Sequence, residues 1–250
     1  MSVLEIKGLN KAFGGLQAIN DIDMAIEEGE LSAIIGPNGA GKTTLFNLIT
    51  GYLPADSGKI LFKGKEILGL RHYQIVKMGI GRAFQRTNIF PNLSVFKNVQ
   101  VALISYQRKN FKFLKSAIEF QDLNEATYRI LDSVNLTDKA HISSSTLAHG
   151  DQKLLDIAVA LALEPDLLLL DEPTSGMSSE ERKNTVEMIR TLWEKRDITL
   201  VFIEHDMDVV FSISQKIRVL HHGELIAEGV PEAISKNELV IEAYLGEEVI

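Results

Sequence analysis

The residue types and spacing that most directly predict chemistry lie in one glycine-rich stretch. Gly36, Gly41, Lys42 and Thr43 match the pattern G-x-x-x-x-G-K-[ST]. In such a loop the backbone N–H groups point inward as an anion site, the lysine reaches the β- and γ-phosphates, and the threonine hydroxyl ligates Mg²⁺. A plain glycine-rich turn is the alternative, and a chance match arises in roughly 1% of chains this long. We therefore predict a nucleoside triphosphate site, made of Gly36, Pro37, Asn38, Gly39, Ala40, Gly41, Lys42, Thr43 and Thr44.

Two consecutive acids form the second candidate group. Asp171 and Glu172 follow the apolar run 167–170, which is typical of a buried strand. A carboxylate at the end of such a strand can hold Mg²⁺ directly or through water, and the next carboxylate can polarise an attacking water. Acids also follow strands in ordinary surface turns, but the phosphate loop upstream favours the functional interpretation.

The elements predicted around the phosphate loop give it the context that its pattern requires. The loop follows an apolar run at 31–35 that is typical of a buried strand, and Leu45, Leu48 and Ile49 fit a helix after it. A helix that begins at the loop adds the positive end of its dipole to the anion site. Strand, loop and helix together therefore strengthen the nucleotide prediction.

Strands alternate with helices along most of the chain, which predicts an α/β fold whose parallel sheet is covered on both faces. Residues 11–15 are predicted to form a turn. Strands are predicted at 3–6, 18–27, 31–35, 79–85, 166–171 and 198–203, with hairpins at 58–67 and 217–227. Helices are predicted at 44–49, 123–134, 151–163, 180–195 and 207–212, followed by two short helices at the end of the chain.

Composition narrows the functional classes. The chain has 250 residues, 45% of them hydrophobic, which is enough for a sizeable core. No apolar run reaches the 18 or so residues of a membrane span, and the first residues lack the pattern of a signal peptide. Cysteine is absent, so the chain has no disulfides, which permits a cytosolic setting. The net charge of −8 argues against nucleic-acid binding. The basic and aromatic stretch 108–115 favours a solvated segment over a lipid or nucleic-acid contact.

Further motifs resemble one family. The segment Leu147, Ala148, His149, Gly150, Asp151 and Gln152 resembles the L-S-G-G-Q signature of ABC-transporter ATPases. Gln85 stands at the position of the family's Q-loop glutamine, His205 at that of its switch histidine, and Phe13 at that of the aromatic that stacks on adenine. Alone, His205 and Phe13 would more often be structural residues. Together these motifs extend over almost the whole chain, and their order and spacing reverse that expectation.

The resemblance implies a RecA-like P-loop core with an antiparallel β portion, formed by residues 1–86 and 164–250, and an inserted helical signature subdomain at 87–163. It implies that two copies, or this chain and a paralogue, sandwich two ATP molecules. Each ATP then lies between residues 36–44 of one subunit and residues 147–152 of the other.

The resemblance also implies individual roles. Phe13 stacks on adenine, and the phosphate loop binds the phosphates of ATP. Thr43, Gln85 and Asp171 serve Mg²⁺. Glu172, His205 and Gln85 form the catalytic group, in which Glu172 orients or deprotonates the attacking water.

Three positions depart from the family pattern. Ala148 replaces the signature serine, whose hydroxyl contacts the γ-phosphate in the opposite subunit, and His149 replaces the first signature glycine. The N–H groups at the start of the following helix still offer an anion contact. Ser178 stands where many members carry an aspartate, so this chain lacks the acid of the usual polar contact between subunits.

Residues 13–16, 81–86, 105–120 and 243–248 resemble the ATP-binding subunits of branched-chain amino acid uptake systems. The resemblance implies that the chain powers the uptake of a small polar solute, with branched-chain or other hydrophobic amino acids as the expected substrates. This implies two transmembrane permease subunits, contacted around residues 86–90, a periplasmic or extracellular solute-binding protein, and a location at the cytoplasmic face of the membrane. The alternative functions are a soluble ABC-type ATPase that is not coupled to transport, or another P-loop enzyme such as a kinase or GTPase. Those last two classes would lack the signature segment.

Overall fold

The computed structural model describes residues 1–85, 87–106, 117–196 and 198–245. Its strands are β1 Ser2–Phe13, β2 Leu16–Glu27, β3 Leu31–Ile35, β4 Ser57–Phe62, β5 Lys65–Glu66, β6 Ile80–Ala83, β7 Leu167–Asp171, β8 Thr199–Ile203, β9 Lys216–His221 and β10 Glu224–Gly229. Its α-helices are α1 Lys42–Ile49, α2 His72–Met78, α3 Val95–Tyr106, α4 Ala117–Ser133, α5 His149–Leu161, α6 Ser179–Arg196, α7 Met207–Ile213, α8 Pro231–Ile234 and α9 Glu238–Leu245.

A six-stranded sheet in the order β10-β9-β3-β8-β7-β6 forms the centre of the fold. Strands β3, β7 and β8 are five residues long and buried at every position, as expected for strands covered on both faces. The pairings from β9 to β6 are parallel, and only the edge strand β10 runs antiparallel. Because parallel strands end at the same edge, the segments after β3, β6, β7 and β8 meet there.

The second sheet is antiparallel, in the order β2-β1-β4-β5. Ile22, Met24 and Ile26 are buried in β2, as their alternation predicts. The prediction of a turn over 11–15 is wrong for residues 11–13, which belong to the twelve-residue strand β1. Several register shifts between β1 and β2 interrupt the alternation in β1, so the sequence pattern shows only its first part as a strand.

Between β6 and β7 the described residues are mainly helical. They form α3, α4, α5 and two 3₁₀ turns, Thr137–Lys139 and Ser144–Thr146, and their β pairing is the isolated bridge between Ser94 and Ser143. The predicted helix over 151–163 begins two residues earlier, at His149, and ends at Leu161. Helix α2 was not predicted, because it is only seven residues long and buries one of them. The expectations for the stretch 108–115, and for most of 105–120, fall outside the described residues.

Within the described ranges, no helix combines the length and the apolar character needed to cross a lipid bilayer.

Candidate nucleotide site

The phosphate loop lies between β3 and α1, and its close neighbours require glycine at two positions. Gly36 has a φ of +149°, and a Cβ atom there would lie 2.0 Å from the carbonyl oxygen of Leu220. Gly41 has a φ of +105°, and its Cβ would lie 2.5 Å from the carbonyl oxygen of Ala18. The loop is therefore held against β9 on one side and β2 on the other by approaches that no larger residue permits.

Lys42 begins α1, and its side chain turns back over the loop. It is 6% exposed, and its Nζ donates hydrogen bonds to the carbonyl oxygens of Gly36, at 2.5 Å, and Pro37, at 2.7 Å. Thr43 follows in the first turn of α1 and is exposed. An ammonium group and the start of a helix thus lie at the concave loop, where both favour an anion.

Phe13 lies at the end of β1, and its side chain is 45% exposed. The ammonium of Lys11 lies 5.4 Å from the centre of its ring. The paired strand β2 contacts the phosphate loop at Gly41 through Ala18, so the hairpin that carries Phe13 borders the loop. The exposed ring is therefore free to stack on a flat ligand at this edge.

The three residues of the predicted catalytic group come together in the structure. Glu172 Oε1 lies 2.6 Å from His205 Nε2, and Glu172 Oε2 accepts a hydrogen bond of 2.9 Å from the side-chain amide of Gln85. Gln85 follows β6, Glu172 follows β7 and His205 follows β8, so the order of parallel strands brings them to one edge. The strand predicted over 79–85 ends at Ala83, which leaves Gln85 in the following loop.

The backbone of Glu172 is held on both sides. Its φ is +51°, a value that non-glycine residues seldom adopt. Its N–H donates to the carbonyl oxygen of Ile203 at 2.9 Å, and its own carbonyl oxygen accepts a 2.6 Å hydrogen bond from Nζ of Lys153. These bonds fix the direction in which the carboxylate leaves the sheet.

Asp171 ends β7, and only one of its two carboxylate oxygens has a hydrogen-bond partner among the described residues. Its Oδ2 pairs with Nη2 of Arg82 at 2.7 Å, and Arg82 also donates to Asn47 on α1 at 2.7 Å. Its Oδ1 is buried and has no hydrogen-bond partner among the described residues. A buried, unpartnered carboxylate oxygen costs free energy unless a cation or a water binds it, so this atom fits the predicted Mg²⁺ ligand set of Thr43, Gln85 and Asp171.

The predicted signature segment forms the start of α5. Ala148 is the N-cap residue and has no side-chain oxygen to bind the free N–H groups of the first turn. The ring of His149 lies against Gly176, since a Cβ on that glycine would be 3.1 Å from it. Asp151 pairs with Lys139, and the Gln152 side chain donates to the carbonyl oxygen of Leu147 at 3.1 Å.

Ser178 has a local partner that accounts for its side chain. Its hydroxyl donates to Oε2 of Glu181 at 2.7 Å, and its N–H donates to the same oxygen at 2.9 Å. The N–H of Glu181 donates back to the Ser178 hydroxyl at 3.3 Å. This is a capping box at the start of α6, so here the serine stabilises a helix within its own chain.

The buried charged side chains at this edge that were missed from the sequence include Arg82, Lys153 and Asp156. Arg82 lies in the buried strand β6, and the other two lie within the apolar helix α5. A charged residue at a position that the apolar pattern assigns to the core was the signal that could have identified them, because such residues are seldom buried without a partner.

Comparison with known proteins agrees with this geometry. Residues 19–175, more than half of the chain, match the family model described as ABC transporter. Residues 224–250 match a model described as branched-chain amino acid ATP-binding cassette transporter. The chain is 39% identical to the high-affinity branched-chain amino acid transport ATP-binding protein BraF of Pseudomonas aeruginosa, with 98% of each chain covered.

Solved structures agree as well. An ATP-binding cassette of an ABC transporter in its ADP conformation has a TM-score of 0.84 and 27% identity, covering 98% of this chain and 99% of the other. A bacterial ABC transporter cassette solved as a dimer has a TM-score of 0.79 and 26% identity, covering 91% of this chain and 98% of the other. The RecA-like fold prediction is confirmed, and the chain belongs to the ABC transporter family as an ATP-binding cassette of its ATPase class.

Proposed function

We propose that this chain binds and hydrolyses Mg-ATP to drive the uptake of branched-chain amino acids, with Glu172 as the group that activates water. The observation that carries the ATPase chemistry is the convergence of Gln85 and His205 on the Glu172 carboxylate. The choice of solute rests on the similarity to BraF and on the match of residues 224–250.

The nucleotide contacts follow from the positions of the side chains. ATP stacks its adenine on Phe13 and lays its phosphates in the loop 36–44, where Lys42 exchanges two carbonyl partners for phosphate oxygens. Thr43, Gln85 and Asp171 would hold Mg²⁺, and the unpartnered Oδ1 of Asp171 supports this assignment. When bound, the ion would neutralise part of the charge on the β- and γ-phosphates.

Glu172 can bind a water beside its present contacts, because each oxygen of an ionised carboxylate accepts more than one hydrogen bond. Both carboxylate oxygens are engaged, one with Gln85 and one with His205. A water bound between Glu172 and the γ-phosphate donates to a remaining lone pair of the carboxylate. Glu172 accepts the water's proton as the water attacks the γ-phosphorus and the bond from that phosphorus to the leaving ADP oxygen breaks. His205 would then contact the γ-phosphate, and Gln85 would contact the metal.

The proposed active unit contains two cassettes. In each, residues 1–86 and 164–250 form the ATP-binding core and residues 87–163 form the helical signature subdomain. The segment 147–152 of a second copy, or of a paralogue, closes over the γ-phosphate with the free N–H groups at the start of α5. The related cassette solved as a dimer supports this arrangement.

A surface beside Gln85 supports contact with two membrane-embedded permease subunits at the cytoplasmic face. The ring of Tyr52, which contacts that of Phe84 next to Gln85, is 48% exposed, and Tyr73 and Phe90 are 45% and 57% exposed. A cavity of about 180 Å³ is lined by Tyr52, Phe84 and Asp156 among others. Exposed aromatic side chains around a cavity are typical of a docking site for a partner protein. A solute-binding protein on the other side of the membrane delivers the amino acid.

Reconstitution tests this function. The chain is purified with its permease subunits, placed in vesicles with the solute-binding protein, and assayed for ATP-dependent uptake of radiolabelled leucine. We expect uptake with the parent chain, loss of uptake with Lys42→Ala, and unchanged uptake with Lys65→Ala, an exposed lysine on β5. ATP hydrolysis without uptake of any branched-chain amino acid would favour an ATPase that is not coupled to this transport.

A further inference from the structure

Helix α5 contacts the loop that carries Gln85 through one buried carboxylate. Asp156 is 4% exposed, and its two oxygens accept hydrogen bonds from the N–H of Phe84, at 2.7 Å, and of Asn88, at 3.0 Å. These amides lie on either side of Gln85 in the chain. Burial raises the pKa of Asp156 to about 6, against the backbone hydrogen bonds and the charge of Arg82, which lower it. At neutral pH this carboxyl is therefore an ionised group in the protein interior.

The same helix contacts the chain at Glu172 through a buried ammonium. Lys153 is 3% exposed, and its Nζ donates to the carbonyl oxygen of Glu172 at 2.6 Å. Burial lowers the pKa of Lys153, and the nearby carboxylates of Glu204, Glu172 and Asp171 oppose this effect. The ammonium thus lies where the chain turns from β7 towards the site.

Asp156 and Lys153 are three residues apart, so they project from the same face of α5. One binds the loop that holds Gln85 and the other binds the backbone of Glu172. The side chains of Gln85 and Glu172 in turn bond each other at 2.9 Å. Because a buried charge that loses its partner is costly, neither contact stretches freely when α5 moves.

We propose that Asp156 and Lys153 are positioning residues through which helix α5 sets the placement of Gln85 relative to Glu172. The inference rests on the proposed function, in which the start of α5 contacts the ATP bound by the second subunit. A tilt of α5 on closing over that ATP shifts both contacts together. Each cassette therefore aligns its own catalytic group when its signature segment engages the opposite nucleotide.

The competing explanation is that both side chains only stabilise the interior. A purely structural role changes the fraction of folded protein and leaves the turnover of each folded molecule intact. A positioning role lowers the turnover of protein that folds and binds nucleotide normally. Turnover and nucleotide affinity are therefore measured separately, on protein shown to be folded by thermal unfolding.

The test compares Asp156→Asn and Lys153→Met with the conservative variant Lys153→Arg, all in the complex with permease subunits. Misplacing catalytic groups by about 1 Å costs up to about 100-fold in rate, so we expect at least about a tenfold loss of kcat for the first two variants. Affinity for a fluorescent ATP analogue should stay within about threefold, and Lys153→Arg should retain most activity. Asp122→Asn and Lys183→Met, at exposed positions of α4 and α6, serve as controls.

The double variant tests whether the two residues act together, and amide exchange rates test whether Asp156 holds the loop that carries Gln85. If Asp156 and Lys153 both act by aligning Gln85 with Glu172, the double variant Asp156→Asn with Lys153→Met should have a kcat only slightly below that of the more impaired single variant. In the isolated chain, Asp156→Asn should speed hydrogen exchange at the amides of Phe84 and Asn88. Turnover within twofold of the parent in both single variants, or fully multiplicative losses, would overturn the proposal. A parent complex without ATPase activity would instead contradict the proposed function, and unchanged amide exchange would then still count against the positioning contact.

Discussion

Arg82 and Asp171 form a buried ion pair between neighbouring strands, with Nη2 and Oδ2 2.7 Å apart and side chains only 5% and 1% exposed. Arg82 also contacts Asn47 on α1 and lies 4.8 Å from the ring centre of Phe84. The guanidinium therefore joins the acid at the end of β7 to the helix after the phosphate loop and to the loop before Gln85. It fixes one oxygen of Asp171 and leaves the other for a ligand.

Removal of Arg82 should destabilise the chain strongly. Arg82→Met leaves the buried Asp171 carboxylate without its counter-charge, and breaking a buried pair in this way typically costs about 3–5 kcal/mol. Urea unfolding of the isolated chain measures the loss. Adding Asp171→Asn to Arg82→Met should recover part of it, since the uncompensated charge is then gone. A loss below about 1 kcal/mol would contradict a strong interaction.

The raised pKa of Asp156 predicts a pH-dependent stability. In the folded chain the Asp156 carboxyl keeps its proton up to about pH 6, whereas in the unfolded chain it releases the proton near pH 3.8. The folded state therefore binds more protons than the unfolded state between these two pH values. Arg82 and Tyr52 are charged or titratable groups that face the carboxyl. Stability from this group is present below about pH 4 and is lost as the pH rises through about 6.

The measurement is urea unfolding of the parent and Asp156→Asn chains from pH 4 to 7. The free energy of unfolding of the parent, relative to the variant, should fall by about 2 kcal/mol over that range. Parallel profiles for the two chains would show that the Asp156 pKa is ordinary, and a relative rise with pH would show that it is lowered.

Gly150 tests the contact made by the signature segment in the opposite subunit. An aspartate there places a carboxylate against the partner's phosphate, so Gly150→Asp should lower ATP turnover at least about 100-fold. Nucleotide binding to the isolated chain should persist, because Lys42 lies elsewhere. Gly150→Ala is the control, since a Cβ there meets its nearest neighbour, Oε1 of Glu181, at 3.5 Å, an ordinary contact. Loss of nucleotide affinity in the isolated Gly150→Asp chain would contradict a contact in trans.

A site split between two subunits also predicts that activity depends on concentration. The chain carries a net charge of −8, so two free copies repel each other. ATPase activity per mole of isolated chain should therefore rise with protein concentration at saturating Mg-ATP, and rise again when permease subunits hold two cassettes together. Constant specific activity on a protein that stays monomeric would mean that one chain contains a complete site.

The phosphate loop and the strand that ends at Asp171 could be predicted because each depends on residues adjacent in the chain. The contact of Glu172 with Gln85 and His205 could only be inferred from the family resemblance. Gln85 lies 87 positions and His205 33 positions from Glu172 in the chain. It depends on the strand order β8-β7-β6, which no local pattern reveals. The roles of Lys153 and Asp156 could not be predicted, because the partners of both are backbone atoms, which leave no mark in the sequence.

ATP turnover by Glu172→Gln, measured in the complex with permease subunits, shows whether Glu172 activates the attacking water. The amide keeps the shape of the side chain but cannot accept the proton, so we expect turnover at least about 100-fold below that of the parent. Binding of a fluorescent ATP analogue should remain, and the variant should accumulate on a sizing column as an ATP-bound dimer. Turnover close to that of the parent complex would mean that Glu172 does not activate the water.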